Sequence, residues 1–374
     1  MYKTIFIIVA IAMLSGAAYY QYTKPIVPDE QNEVLKPPPP PENIDQIRVV
    51  AQNLEIPWDF AFLPNDDLLV TERIGRLQLI KPTGVKTEIP ILGVKTGGEG
   101  GLLGITLHPD FSENKFIYLY LSSAGTQGKT INRVERHMFD GVKLSEKTTI
   151  IDGIPGATYH DGGRIEFGPD KMLYITTGDA GESKLAQNRD SLAGKLLRLH
   201  DDGTIPEDNP FGTAVYSYGH RNSQGLAWDS VGRLWSTEHG RSGVTSGLDE
   251  LNLIQKGGNF GWPDIQGKET KAGMIVPVLE SGSDVTWAPA SLAYHDNMLF
   301  FGGLRGEGLY KVELEGSTFV SLKKYFEKEF GRIRTVRVGP DNRIYFSTSN
   351  RDGRGNPLEG DDKIISIDPI ILAN

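Results

Sequence analysis

The sequence predicts an all-β fold, a six-bladed β-propeller built from four-stranded blades. Three observations predict it. Forty-four glycines among 374 residues stand beside few apolar stripes of helical period, which favours many strands joined by tight turns. One strand–turn–strand pattern recurs six times along the chain. Each copy is also too short to bury its own apolar faces, so the copies must pack on one another around an axis.

The first copy runs over 58–71, with Trp58-Asp59-Phe60-Ala61-Phe62 leading through Pro64-Asn65-Asp66-Asp67 to Leu68-Leu69-Val70-Thr71. The second begins at Leu103, turns at His108-Pro109-Asp110 and resumes over Phe116-Ile117-Tyr118-Leu119-Tyr120. The third covers 163–176 with its turn at Gly168-Pro169-Asp170-Lys171, and the fourth covers 224–237 around Asp229-Ser230-Val231-Gly232. The fifth covers 290–301 around Asp296-Asn297, and the sixth covers 335–348 around Pro340-Asp341-Asn342. Proline presets the turn, Asp and Asn tolerate left-handed backbone, and the flanking alternation turns one face inward. Six units over the folded part give about 55 residues each, the size of a four-stranded blade with its loops. A pair of β-sandwiches would not account for six copies. The ring is expected to close by pairing a first strand near 47–51 with the last blade, whose sheet also takes the strand near 363–367.

The propeller is assigned to 43–374. Ahead of it, Lys3 precedes the apolar run Ile5 to Leu14 and the small residues Ser15-Gly16-Ala17-Ala18, and no charge falls within 4–23. Residues 1–23 therefore read as a cleaved export signal or an uncleaved membrane anchor. Either reading exports the domain to the periplasm, or to the outer face of the inner membrane if the segment is kept. Ala17 stands where a lipoprotein signal has Cys. Residues 24–42 read as a linker, because Pro37 to Pro41 form an extended, semi-rigid spacer.

Composition narrows the function. A net charge of −9 argues against a nucleic-acid partner, since phosphate neutralisation needs clustered Lys and Arg. The absence of cysteine excludes disulfides, a thiolate metal site and a catalytic thiol. No GxGxxG before a helix, P-loop, HExxH or GxSxG motif is found, which counts against nicotinamide enzymes, nucleotide hydrolases, zincins and serine hydrolases.

The chemistry-bearing residues lie between the repeats, where propeller loops converge over the central channel. In Tyr159-His160-Asp161-Gly162-Gly163-Arg164, a His beside glycines is suited to proton transfer near neutral pH. Gly178-Asp179-Ala180-Gly181 ends the paired strand of the same hairpin, which places Asp179 to hold His160 in one tautomer; a surface His in a Gly turn is the alternative. Tyr218-Gly219-His220-Arg221-Asn222-Ser223-Gln224-Gly225 offers a guanidinium fork and amides to a ligand rich in carboxylates or carbonyls, or a structural loop network. Thr237-Glu238-His239-Gly240-Arg241-Ser242-Gly243, continuing to Asp249-Glu250 and Gly257-Gly258-Asn259-Phe260-Gly261-Trp262-Pro263, puts acids beside free carbonyls, a setting for calcium or for capped loops. Arg305, Arg332 and Arg334 bring positive charge to converging loops of a net-negative chain, which suits an anionic ligand. The i, i+2 spacing of Arg332 and Arg334 points both to one side of a strand.

In this order and spacing, the segments resemble the soluble pyrroloquinoline-quinone (PQQ)-dependent glucose dehydrogenases, and more closely the bacterial aldose sugar dehydrogenases. The resemblance runs from about Ile56 to Asp368. It is carried by Glu99-Gly100-Gly101-Leu102-Leu103-Gly104, the His160-x-Gly-Gly-Arg164 segment, Gly219 to Gly225, Gly258 to Pro263, and Arg332-x-Arg334. It implies a six-bladed propeller that holds PQQ and Ca2+ at the top of the channel and oxidises an aldose at C1 to the lactone, with electrons leaving to an acceptor the sequence does not name. By the same resemblance His160 is the general base, Asp179 its orienting partner, and Arg221 the residue beside the reacting quinone carbonyl. Asn222 and Gln224 fall in the cofactor loop, Glu99 lies near the substrate, and Arg305, Thr286, Arg332 and Arg334 match cofactor-binding positions. The resemblance places the cofactor calcium on the main-chain carbonyls of Gly240 and Arg241, and a second calcium on Glu250, the Phe260 carbonyl and Glu280.

Departures from the glucose enzymes fall at the sugar pocket and at the cofactor edge. Tyr159 stands where they have Asp, Glu99 where they have Gln, and Arg305 where they have Lys. The chain also lacks long insertions that shape the substrate pocket and dimer contacts. Two other readings of a propeller are a calcium-dependent lactonase or hydrolase, which needs carboxylates on several channel loops where this chain has arginines, and a non-catalytic binding propeller, which does not require the His/Arg set.

Overall fold

The computed structural model describes residues 46–243 and 246–373. The export segment and spacer expected over 1–42 lie outside the described residues. The alternating apolar runs form strands, and the described strands form six four-stranded antiparallel sheets. In chain order, β1 (Ile47–Ala51) precedes blade one, formed by β2 (Pro57–Phe62), β3 (Leu68–Glu72), β4 (Arg76–Ile80) and β5 (Lys86–Ile89). Blade two is β6 (Leu102–Leu107), β7 (Phe116–Ala124), β8 (Thr130–Phe139) and β9 (Leu144–Gly156). Blade three is β10 (Ile165–Phe167), β11 (Leu173–Thr176), β12 (Lys195–Leu199) and β13 (Val215–Tyr218). Blade four is β14 (Ser223–Trp228), β15 (Leu234–Glu238), β16 (Glu250–Leu253) and β17 (Leu279–Glu280). Blade five is β18 (Ala293–His295), β19 (Met298–Gly303), β20 (Gly308–Glu315) and β21 (Thr318–Tyr325). Blade six takes β22 (Ile333–Val338), β23 (Ile344–Thr348) and β24 (Ile364–Ile367), and β1 completes it.

The six repeated segments are the first two strands of the six blades. Their turn residues do what their side chains favour: Asp66, Lys171, Asn297 and Asn342 all take left-handed backbone. The ring closes as expected. β1 pairs antiparallel with β24, Ile47 opposite Ile367 and Arg48 opposite Ser366, so the two ends of the propeller share one sheet.

Apolar residues on the blade faces gather into six cores, each between two neighbouring blades. Leu103, Tyr120, Ile165 and Leu173 lie in the core shared by blades two and three, which Trp58 of blade one joins, and Phe300, Leu309, Ile333 and Phe346 in that of blades five and six. Burial against a neighbour is thus each blade's main stabilisation.

The central channel is crossed by ions rather than filled by apolar side chains. The fully buried Asp59 of β2 accepts from Arg164 (Nη1–Oδ2 2.6 Å) and Arg337 (Nη2–Oδ2 3.1 Å), and Arg337 reaches Glu166 at 2.8 Å. Arg164 also donates to the carbonyls of Gln224 and Ala290 at 3.0 and 3.1 Å. This floor ties five blades together, and the candidate site is built on the loops at one end of the channel.

Candidate active site

The β9–β10 loop carries His160 and the loop after β11 carries Asp179. The chain can bring them together because Gly178 follows β11: a Cβ there would lie 1.8 Å from the His160 carbonyl oxygen. His160 takes left-handed backbone at φ 63°. Its Nδ1 lies 2.7 Å from Asp179 Oδ1. Burial pushes the Asp179 carboxyl up, but hydrogen bonds from His160, Gly181 N–H and the Trp262 indole hold it below the usual carboxylate range. A carboxylate at Asp179 accepts a hydrogen bond from Nδ1–H, which leaves Nε2 as the ring nitrogen that the pair does not use.

Glu99 fixes the backbone of this His. Its Oε2 accepts from His160 N–H at 2.9 Å, and its Oε1 from Arg354 Nη1 at 2.8 Å. Burial alone would raise Glu99, yet these two donors bring it down to about 2, so it is a carboxylate at any working pH. Arg354 and its neighbour Asp352 escaped sequence reasoning. They sit in an unrepeated loop of blade six, 255 residues from Glu99, and only their charge marked them.

Arg221 follows β13, and the Asp179 N–H donates to its carbonyl at 2.8 Å. Its guanidinium donates to Ser242 Oγ at 3.0 Å and lies 5.3 Å from the Trp262 ring, while its buried Nε has no partner among the described residues. Burial lowers its pKa against the opposing pull of Asp179 and Glu238. His239, pushed down by burial to about 3 and facing Glu99, Arg221 and Arg334, stays neutral, and its Nε2 also lacks a partner.

One cavity of about 760 Å³ collects most of the expected residues: Glu99, His160, Asp179, Arg221, Gly240, Arg241, Thr286, Arg305 and Arg332 all line it. Tyr159, Asp249, Trp262 and Arg354 complete much of the wall. Three of the residues expected at the cofactor do not line it. Asn222 braces the His loop, its Oδ1 accepting from Gly162 N–H at 3.0 Å. Gln224 Oε1 accepts from Arg334 Nη1 at 3.3 Å, and Arg334 lies 5.5 Å from the Trp58 ring. Arg332 and Arg334 therefore do not act as a matched pair: Arg332 precedes β22, Arg334 lies within it, and they take different partners. Arg332 turns to Asp352 Oδ2 (2.7 and 3.0 Å) and the Leu304 carbonyl (2.8 Å).

The cavity suits an anionic ligand with several acceptors. Arg221 Nε, Arg241 Nε and Asn222 Nδ2 are buried donors without an acceptor among the described residues, and Arg305 makes no ion pair there. Gly240 and Arg241 lie on its wall beside Asp249. A second, much smaller cavity is lined by Glu238, Glu250, Phe260 and Gln266 among others. There burial and the facing Glu238 raise Glu250 to about 8, and Gln266 Oε1 and Asn252 Oδ1 are acceptors without donors. That acceptor-rich nest suits a hard cation. Glu280 pairs with Glu250 across β16 and β17, but its side chain serves Gly282 N–H and Lys268, and it does not line the nest. Among the described residues no cluster of three or more His, Cys, Asp or Glu side chains is placed to hold a metal, so any ion here must also use carbonyl and amide oxygens.

Comparison with known proteins agrees with this geometry. The family model for glucose/sorbosone dehydrogenase matches residues 54–359. An aldose sugar dehydrogenase of Escherichia coli K12 is 32% identical over 343 residues, covering 82% of this chain and 91% of the relative. Quinoprotein glucose dehydrogenase B of Acinetobacter calcoaceticus is 33% identical over 267 residues, covering 62% of this chain and 55% of that one. The PQQ-bound form of an aldose sugar dehydrogenase from Streptomyces coelicolor superimposes with a TM-score of 0.80 at 43% identity, covering 85% of this chain and 96% of that one. With a six-bladed ring, a histidine–aspartate pair and a cationic cavity on residues that the family model spans, this chain belongs to the glucose/sorbosone dehydrogenase family.

Proposed function

We propose that this chain is a quinoprotein aldose dehydrogenase that oxidises the anomeric carbon of an aldose sugar to the lactone. The observation that carries the reading is the shared cavity, where a base oriented by a carboxylate faces an uncompensated cluster of guanidinium donors. PQQ, an anion with several carboxylates, matches those unsatisfied donors. Arg221, Arg241, Thr286 and Arg305 would hold it from the wall, with Asn222, Gln224 and Arg334 behind them. Its calcium would rest on the Gly240 and Arg241 carbonyls. When bound, the quinone supplies the acceptor for the hydride leaving sugar C1, and the ion supplies Lewis acidity.

The protein supplies positions and a proton acceptor. His160 Nε2 takes the proton of the anomeric hydroxyl, and Asp179 stabilises the imidazolium that results. Glu99 holds the His160 backbone so that Nε2 stays aimed into the cavity. Arg221 keeps positive charge where negative charge grows during reduction. A second calcium is assigned to Glu250, Gln266 and the Phe260 carbonyl, without Glu280. Electrons leave to an unidentified acceptor, and residues 1–23 export the protein, as a cleaved signal or as its membrane tether.

Adding PQQ and calcium to the purified apoprotein should give sugar-dependent bleaching of a redox dye, with a lactone as product by NMR. No bleaching with any aldose would overturn the assignment. Metal counting by mass spectrometry should find bound calcium, and cell fractionation should find the protein outside the cytoplasm.

A further inference from the structure

We infer that Trp262 is the positioning residue of this site, a third member of the His160–Asp179 unit that also seats Arg221. Within the Gly258-Asn259-Phe260-Gly261-Trp262-Pro263 segment, Trp262 has no part in the mechanism above. Yet Trp262 Nε1 donates to Asp179 Oδ2 at 2.8 Å, while Asp179 Oδ1 is the oxygen that faces His160 Nδ1 at 2.7 Å. The carboxylate is thereby held at both oxygens, and its plane cannot rotate away from the imidazole. The face of the same indole lies 5.3 Å from the Arg221 guanidinium carbon, within cation–π range. One side chain thus sets the spacing between the proposed base and the proposed electrostatic residue.

Trp262 is itself fixed from behind. Its N–H donates to the Gly219 carbonyl at 2.9 Å, and its carbonyl accepts from Gln187 Nε2 at 2.7 Å. Gln187 also exchanges hydrogen bonds with the Asn259 amide at 2.9 and 3.0 Å. With its backbone so anchored, Trp262 presents its indole at a fixed place against Asp179 and Arg221.

The inference rests on His160 as the base, and it fixes the sign of one effect. The indole N–H draws charge away from the Asp179 oxygen that faces the imidazole. Without that donor the carboxylate stabilises imidazolium more strongly, so the ring keeps its proton to higher pH and the base is lost at a higher pH. The other charged or titratable groups around the pair are Arg221, Glu99, Asp161, His239 and Tyr159, whose ring lies 4.8 Å from the imidazole, and replacing Trp262 alters none of them chemically.

Trp262→Phe keeps a ring under Arg221 and removes only the donor. In the apoprotein, the NMR titration of the His160 ring should move up by about half a pH unit. In the reconstituted enzyme the acid limb of kcat/KM should move up by the same amount, with kcat roughly 10-fold lower and the sugar KM unchanged. A wild-type readout guards against a variant that does not fold: one of the five indole N–H resonances should shift with the same midpoint as the His160 ring. An unmoved imidazole titration in a folded Trp262→Phe protein, or no indole signal tracking the ring, overturns the inference. Failure of the base assignment looks different: His160→Gln would retain full turnover while the wild-type indole still follows the imidazole.

Discussion

At the scale of single residues, the site is a set of paired charges with a few left open. Glu99 is closed by Arg354 and Arg332 by Asp352, whereas Arg221, Arg241 and Arg305 carry no ion pair among the described residues. Asp179→Asn should lower kcat by about 100-fold or more, because an amide can present its NH2 to Nδ1 and stabilise the wrong tautomer; steady-state rates with a saturating dye measure it. Glu99→Gln tests a stability linkage. The folded carboxyl lies near 2, below its ordinary 4.5, so its stabilisation is complete above the ordinary value and is lost as pH falls toward 2. Wild type should exceed the variant by about 1–3 kcal/mol at pH 7, with the gap closing between pH 4.5 and 2 in urea melts. The His160–Asp179 pair was legible in sequence because both residues flank one hairpin beside glycines. Arg354 and Asp352 were not, because ion pairing across a ring leaves no local pattern.

At the scale of elements, the loops are shaped by close backbone approach and by one buried amine. Gly178 passes against the His160 carbonyl, so Gly178→Ala must displace the His160 loop. That variant should fold and lose most of its turnover, on the order of 100-fold for a displacement near 1 Å, as kinetics and circular dichroism together would show. Lys195 on β12 is fully buried, with no acid partner among the described residues, and its Nζ donates to the carbonyls of Leu185, Ala186 and Ala193. Burial pushes the amine down to about 7, against the three carbonyls that favour the charged form. It gathers the 183–194 loop, whose Ser183 lines the main cavity and whose Gln187 braces Trp262. Lys195→Met should cost about 2–4 kcal/mol in denaturant melts by orphaning those carbonyls. The sequence pattern located β12 but said nothing of this lysine, since the carbonyls it caps come from a loop without periodicity.

At the scale of the whole molecule, a ring of six blades is held by six inter-blade cores, by the β1–β24 seam and by the ionic floor. The floor contributes to the assembly only while complete. Asp59→Ala would leave Arg164 and Arg337 facing each other in a buried channel, at a cost of about 3–5 kcal/mol, whereas Asp59→Asn should cost less because its amide oxygen still accepts. Differential scanning calorimetry of the two variants orders them. Because the floor underlies Gln224 and Arg334, the first variant should also weaken the upper cavity.

The sequence alone determined the blade count, the strand pairs and the closure of the ring, because a period-two apolar pattern with Pro, Asp, Asn and Gly turns is a local signal repeated six times. It also placed His160, Asp179 and the cationic loops, since each lies next to a repeated strand whose position the pattern defines. Only the tertiary structure decided which arginines face the cavity and which are spent on a carboxylate, and that Trp262 rather than a charged residue holds Asp179. The physical reason is range: hydrophobic periodicity is written residue by residue along one strand, whereas hydrogen bonds and ion pairs at the top of a ring join loops from different blades whose meeting depends on the closed circle.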